Sequence, residues 1–198
     1  MVNIKLIIFD FSGVCSTEEE SIFIKKFCNK HNLDFEKFWE RYSRLIIKAE
    51  TGEEDTHHTW KKLVEEFNLD INIDDTIQEL INEKEYYFDM LEFANSLRSK
   101  YKTALYSNYN QTYWEIIEKK IDPSKYFDLT TIAYKIKIRK PSHEGFKLIL
   151  NHFKVKPEET IFTDDSEKNV KAAAELGIHS IHFKNKEQFL LELKKLGI

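Results

Sequence analysis

The feature that most constrains this fold is an alternation in the second half of the chain. Short apolar runs of strand length are each followed by a helical pattern. Thr103–Tyr106 stops at Ser107-Asn108 and gives way to a helix at about 111–120, closed off by Asp122-Pro123. A short strand near 127–132 comes next, and Lys140-Pro141 precedes a helix at 142–153 carrying Phe146, Leu148, Ile149, Leu150 and Phe153. Thr160–Thr163 ends in Asp164-Asp165, and the helix after it, with Val170, Ala172, Ala173, Ala174 and Leu176, stops at Gly177, a C-cap position. Ile178–Phe183 is a last strand and 186–196 a last helix. At the front of the chain, Ile4–Phe9 is an apolar strand ending in Asp10. Strands alternating with helices predict an α/β fold, a Rossmann-like core of about five parallel strands covered on both faces.

One block breaks the alternation. From about Ser16 to Tyr87, Phe23, Phe27, Phe35, Phe38, Trp39, Tyr42, Leu45 and Ile46 recur at helical spacing, as do Trp60, Leu63, Val64 and Phe67, then Ile77, Leu80 and Ile81. Breaks at Asn32, Gly52 and Asn68–Asp70 divide the block into roughly four helices. The expected organisation is a core of 1–15 and 88–198 with a helical insertion at 16–87. With 41% hydrophobic residues and 32% charged, the chain has material for a real core. A net charge of −4 argues against nucleic acid and anionic membrane partners. No run approaches the ~20 apolar residues of a membrane helix, and the apolar start is too short for a signal peptide. Cys15 and Cys28 are too few for a disulfide framework and read as buried thiols in a reducing compartment. The expectation is a cytoplasmic protein, monomer or homodimer.

In parallel sheets, ligands bind outside the carboxyl ends of the strands. Those ends supply Asp10, Ser107-Asn108 and Asp164-Asp165, and the loop before the 142–153 helix supplies Lys140. Such a set suits phosphoryl transfer. A carboxylate can be the nucleophile, splitting one hard step into two. Mg²⁺ prefers a few carboxylates plus substrate oxygens, which Asp10, Asp164 and Asp165 would provide. Lys140 offsets their surplus negative charge. Ser107, Asn108 and the backbone around Phe11–Gly13 can hold phosphate oxygens, with Gly13 permitting close approach.

These residues resemble the haloacid dehalogenase-like (HAD) superfamily of hydrolases over nearly the whole chain. Phe9-Asp10-Phe11-Ser12-Gly13-Val14 is similar to its first motif and Tyr106-Ser107-Asn108 to its second. Lys140-Pro141 is similar to the third, and Phe162-Thr163-Asp164-Asp165-Ser166 with Asn169 to the fourth. The helical block sits where the family's first type of cap is inserted. The resemblance implies that Asp10 is the nucleophile and that Lys140 and Ser107 assist it. It places Ser12, Gly13, Ser107, Asn108 and Lys140 around the substrate. It implies Mg²⁺ on Asp10, Asp164, Asp165 and the backbone carbonyl of Ser12, and a small phosphorylated substrate such as a sugar phosphate.

One position departs from the pattern. Family phosphatases usually carry a second Asp two residues after the nucleophile, as general acid and base, and this chain has Ser12. General acid–base help is worth ~10²–10⁴-fold in rate. A residue from the cap, an ordered water or a better leaving group can take up that work. The Asp-x-x-x-Val form is similar to the glucose-1-phosphatase-like branch, which also lacks this acid. Two rivals stay open: a metal-independent 2-haloacid dehalogenase, and a binding member of the fold without turnover. Elsewhere the plainer readings lead. His57, His58, His179 and His182 read as structural, and the Phe35–Tyr42 stripe as cap core. Lys135–Lys140 reads as a solvated loop with one catalytic lysine. Arg41, Arg44 and Lys48 read as surface, with one of them a candidate to face the site. Gly52 is a candidate for a turn aimed at the site.

Overall fold

The computed structural model describes residues 3–17 and 20–198. Strands β1 (Leu6–Phe9), β2 (Lys102–Ser107), β3 (Leu129–Ile132), β4 (Thr160–Asp164) and β5 (His179–His182) form one sheet in the order β3-β2-β1-β4-β5. Every pairing is parallel. The winding turns back at β1, which places a topological switch point at its carboxyl end. Phe9 pairs with Leu105 on one side and Thr163 on the other. Asp10, Tyr106 and Asp164 therefore come level at the sheet edge, with Ser107 one residue beyond.

The side chains of β1 alternate between two apolar layers. Ile7 and Phe9 join one layer, where Phe9 packs 5.8 Å from both Phe127 and Phe189. Leu6 and Ile8 join the other, with Tyr106, Phe146 and Phe162. All four β1 residues are fully buried, as a central parallel strand requires.

Four helices, α1 (Glu20–Lys30), α2 (Phe35–Glu50), α3 (Thr56–Phe67) and α4 (Ile73–Asn82), separate β1 from α5 (Phe88–Leu97). Their ends follow local chemistry. The Asp34 carboxylate accepts from Lys37 N at 2.7 Å to cap α2. Asn68 takes a left-handed conformation, φ 49°, to end α3. The block is held by aromatic packing, with Trp60 5.5 Å from Phe27 and 5.7 Å from Tyr42. Phe38 and Tyr42 are buried, so the 35–42 stripe is core. That cluster is continuous with the layer under the Phe9 face of the sheet.

The remaining helices are α6 (Gln111–Ile121), α7 (Ala133–Ile136), α8 (His143–Phe153), α9 (Glu167–Glu175) and α10 (Lys186–Lys195). The four-residue α7 is too short to leave a periodic signal. The helical block was expected from about Ser16, but α1 starts at Glu20, and residues 18 and 19 lie outside the described residues. Ser16 instead makes isolated bridges to Ser12 and Tyr86. Thr17 N donates to Glu85 O and Tyr87 N to Cys15 O, both at 2.9 Å. The two chain crossings into the block are thus tied side by side, because lone crossing segments would leave backbone groups unpaired. Cys15 and Cys28 are free and buried. No helix among the described residues is long and apolar enough to cross a membrane.

Candidate active site

Asp10 leaves β1 into the switch point and is 6% exposed. Its Oδ1 accepts from Phe11 N at 2.6 Å and from Ser107 Oγ at 3.0 Å, and meets Lys140 Nζ at 2.7 Å. Its Oδ2 takes no hydrogen bond from the described residues. One oxygen is therefore held and the other left open. Lys140 Nζ also donates to Asp164 Oδ2 at 2.6 Å, so the ammonium bridges two strand-end acids. It lies 5.6 Å from the ring centroids of Tyr106 and Phe162 and is 1% exposed. Asp164 Oδ1 also receives Ser166 N at 2.8 Å and Asn169 Nδ2 at 3.0 Å.

Asn108 does something the sequence did not indicate. Its Oδ1 accepts from Lys140 N at 2.8 Å and its Nδ2 donates to Lys140 O at 3.0 Å. The amide clamps the lysine's backbone, so its side chain positions Lys140 while Asn108 also lines the cavity of the site. The Lys140-Pro141 peptide in this loop is cis.

Charge is crowded here. Ligand atoms of Asp10, Asp164 and Asp165 all lie within 4.8 Å of one another. Burial, and after it the Asp164 carboxylate, push the Asp10 acid up to about 8 against the pull of Lys140. Burial alone would lower the Lys140 ammonium, but the adjoining Asp10 and Asp164 carboxylates reverse this and raise it. The lysine stays charged, and one cation faces three acids. Gly13, at φ +74°, makes room for Asp165: a β-carbon there would stand 2.1 Å from Asp165 Oδ2. A hard-oxygen cluster with excess negative charge, in a cradle only glycine permits, fits a divalent cation such as Mg²⁺.

Asp10, Ser107, Asn108 and Lys140 line a cavity of about 140 Å³, and Ser12 joins them. The Ser12 hydroxyl accepts from Tyr109 OH at 3.3 Å and donates to Thr17 O at 3.4 Å. The structure thus brings together every predicted strand-end residue. The expectations for the helical block fare differently. Arg41, Arg44 and Lys48 pair with Glu66, Glu40 and Glu54 away from the cavity. Gly52 packs against Tyr134 O, where a β-carbon would come to 3.1 Å, and does not line the cavity. The block contributes Glu20, Glu50 and Leu80, with Lys84 just beyond α4. Lys84 is 8% exposed, with Nζ on Thr17 O at 2.9 Å and Ser16 Oγ at 3.3 Å. Tyr113 of α6 also lines the cavity, its hydroxyl receiving Trp60 Nε1 at 3.0 Å. Of the histidines, His182 meets Asp165 O at 2.8 Å and His179 meets Glu158 O at 3.1 Å.

A family model described as haloacid dehalogenase-like hydrolase matches residues 4–177. A flavin mononucleotide hydrolase of Arabidopsis thaliana is 32% identical over 114 residues, covering 57% of this chain and 46% of that protein. A phosphorylated carbohydrates phosphatase of Thermotoga maritima is 28% identical over 143 residues, 72% of this chain and 63% of that protein. The matches span about half to two thirds of the length of these relatives. Among solved structures, a HAD family enzyme of Bacteroides thetaiotaomicron superposes with a TM-score of 0.78 at 27% identity, over 92% of this chain and 94% of that one. The same enzyme in complex with magnesium and inorganic phosphate superposes with a TM-score of 0.75, at 27% identity, over 91% and 94%.

Proposed function

Since the chain belongs to the haloacid dehalogenase-like hydrolase family, we propose that it is a Mg²⁺-dependent phosphatase of a small phosphorylated metabolite, acting through an aspartyl-phosphate on Asp10. The observation that carries this reading is the convergence of Asp10, Asp164 and Asp165 within 4.8 Å, with Lys140 between two of them.

Asp10 attacks phosphorus with the open Oδ2 while Phe11 N, Ser107 and Lys140 hold Oδ1. The substrate alcohol leaves, and water then opens the acyl phosphate and returns the carboxylate. Ser107 fixes the rotation of Asp10. Asn108 fixes the backbone of Lys140, and Lys140 sets a positive charge between Asp10 and Asp164. When bound, Mg²⁺ supplies positive charge against the phosphate and the three acids, favouring the ionised nucleophile.

The helical block acts as a cap over a core of 1–15 and 88–198, excluding bulk water. A cavity of about 140 Å³, against ~300–1,000 Å³ for drug-sized ligands, supports a compact substrate such as a sugar phosphate over a nucleotide. The paired acids disfavour a metal-free dehalogenase, which would leave three clustered carboxylates, two of them buried, against one lysine. The test is phosphate release across sugar, nucleotide and acyl phosphates, and from p-nitrophenyl phosphate, with Mg²⁺ and with EDTA. Chelator-sensitive release supports the reading. Halide release from a 2-haloacid that ignores chelator would replace it.

A further inference from the structure

We propose that Glu50, from the helical block, is the catalytic acid and base of this enzyme, doing the work of the carboxyl missing at position 12; this rests on the phosphatase reading above. Glu50 is the last residue of α2 and lines the same small cavity as Asp10, Ser107 and Lys140. Glu50 is only 7% exposed, yet its buried Oε2 accepts no well-aligned hydrogen bond among the described residues. Its neighbour is Arg139, whose Nε stands 2.7 Å from Oε2 with the N–H off line. The guanidinium therefore anchors the carboxylate through Oε2 as an ion pair. A buried polar group left open in this way calls for a partner, and the cavity is where one would sit.

The other candidates around the cavity are weaker. A serine or tyrosine hydroxyl is a poor acid at neutral pH, and burial raises Tyr109 further. Lys84 donates to Thr17 O and Ser16, and Glu20 already receives the Tyr42 hydroxyl. The charged and titratable groups facing Glu50 are Arg139, Glu20, Lys140 and Tyr113. Burial outweighs the pull of Arg139 and pushes the Glu50 acid up to about 7, where a general acid works best.

The protons balance over two steps. Protonated Glu50 gives its proton to the ester oxygen as the bond to phosphorus breaks and Asp10 Oδ2 bonds to phosphorus, releasing neutral alcohol. The Glu50 carboxylate then takes a proton from water as the water oxygen attacks phosphorus and the Asp10–phosphorus bond breaks. Phosphate leaves and both side chains return to their starting states.

The test compares Glu50→Gln with wild type on glycerol 1-phosphate, a poor leaving group, and p-nitrophenyl phosphate, a good one. The ratio of kcat/KM for alkyl over aryl substrate is expected to fall ~10²-fold or more. The variant should also show a burst of p-nitrophenolate, because the water step is slowed. An unchanged ratio with no burst would overturn the proposal. Should the variant not fold, wild type decides: alkyl kcat/KM should fall relative to aryl as pH rises through 7, and superimposed profiles would overturn it. Phosphate release by wild type with no such selectivity removes Glu50 alone. No release from any phosphate ester removes the phosphatase reading and this one with it.

Discussion

Replacing Lys140 with methionine isolates the electrostatics of the site. The Lys140 ammonium lies 5.6 Å from the ring centroids of Tyr106 and Phe162, and methionine offers those rings an apolar chain of similar length while removing the charge. What is lost is the ammonium that meets Asp164 at 2.6 Å and Asp10 at 2.7 Å. A charge-assisted hydrogen bond contributes ~1.5–3 kcal/mol. Breaking a buried ion cluster by removing one partner costs ~3–5 kcal/mol, because the remaining charges are stranded. We expect Lys140→Met to lose about 4 kcal/mol at pH 7.5 in EDTA, a fall in Tm of roughly 10 °C for a chain of this size. The loss should shrink at pH 5 relative to pH 9, because Asp10, raised to about 8 by burial, takes up its proton in between. Thermal melts at the two pH values measure it. A loss under ~1 kcal/mol, or one equal at both, would refute the view of Lys140 as the counter-charge of a buried acidic cluster.

Further outcomes follow from the same geometry. Gly13→Ala should displace Asp165, whose Oδ2 would meet the new β-carbon at 2.1 Å. Calorimetric titration should show Mg²⁺ affinity down ~10-fold or more, with the melt changed by only ~1–2 kcal/mol. Tyr106→Phe removes a buried hydroxyl that has no hydrogen-bond partner and should raise stability by about 1 kcal/mol, read by urea denaturation. Glu50, raised to about 7 by burial from a usual value near 4, holds its proton longer in the folded chain than in the unfolded one. Its contribution is therefore complete below pH ~4 and is lost as pH rises through 7, up to roughly 3 kcal/mol. Melts across pH 4–8 should slope less in Glu50→Gln than in wild type.

The strand-end half of the site was legible because topology alone places it. An apolar run that stops at Asp10, Ser107 or Asp164 must deliver that residue to the carboxyl edge of a parallel sheet. The cap half was not, because it depends on how one helical block settles on another surface. Gly52 drew attention as a turn, yet it packs on Tyr134, and the cavity receives Glu50 from two residues earlier. A signal for Glu50 was present: it continues the buried phase Tyr42, Leu45, Ile46, Ala49 of α2, where an acid is out of place unless it has work to do. Lys84 gave no such signal, since it follows α4 in a segment without periodicity. The Asn108 link to the Lys140 backbone was not legible, because the two lie 32 residues apart in sequence.

The central claim is tested most directly by trapping the covalent intermediate. The protein is mixed with Mg²⁺ and p-nitrophenyl phosphate, quenched within milliseconds and reduced with borohydride, and its peptides are read by mass spectrometry. Homoserine is expected at position 10, absent with EDTA and in Asp10→Asn. Undiminished phosphate release by Asp10→Asn, or an intermediate mapped to another residue, would contradict it.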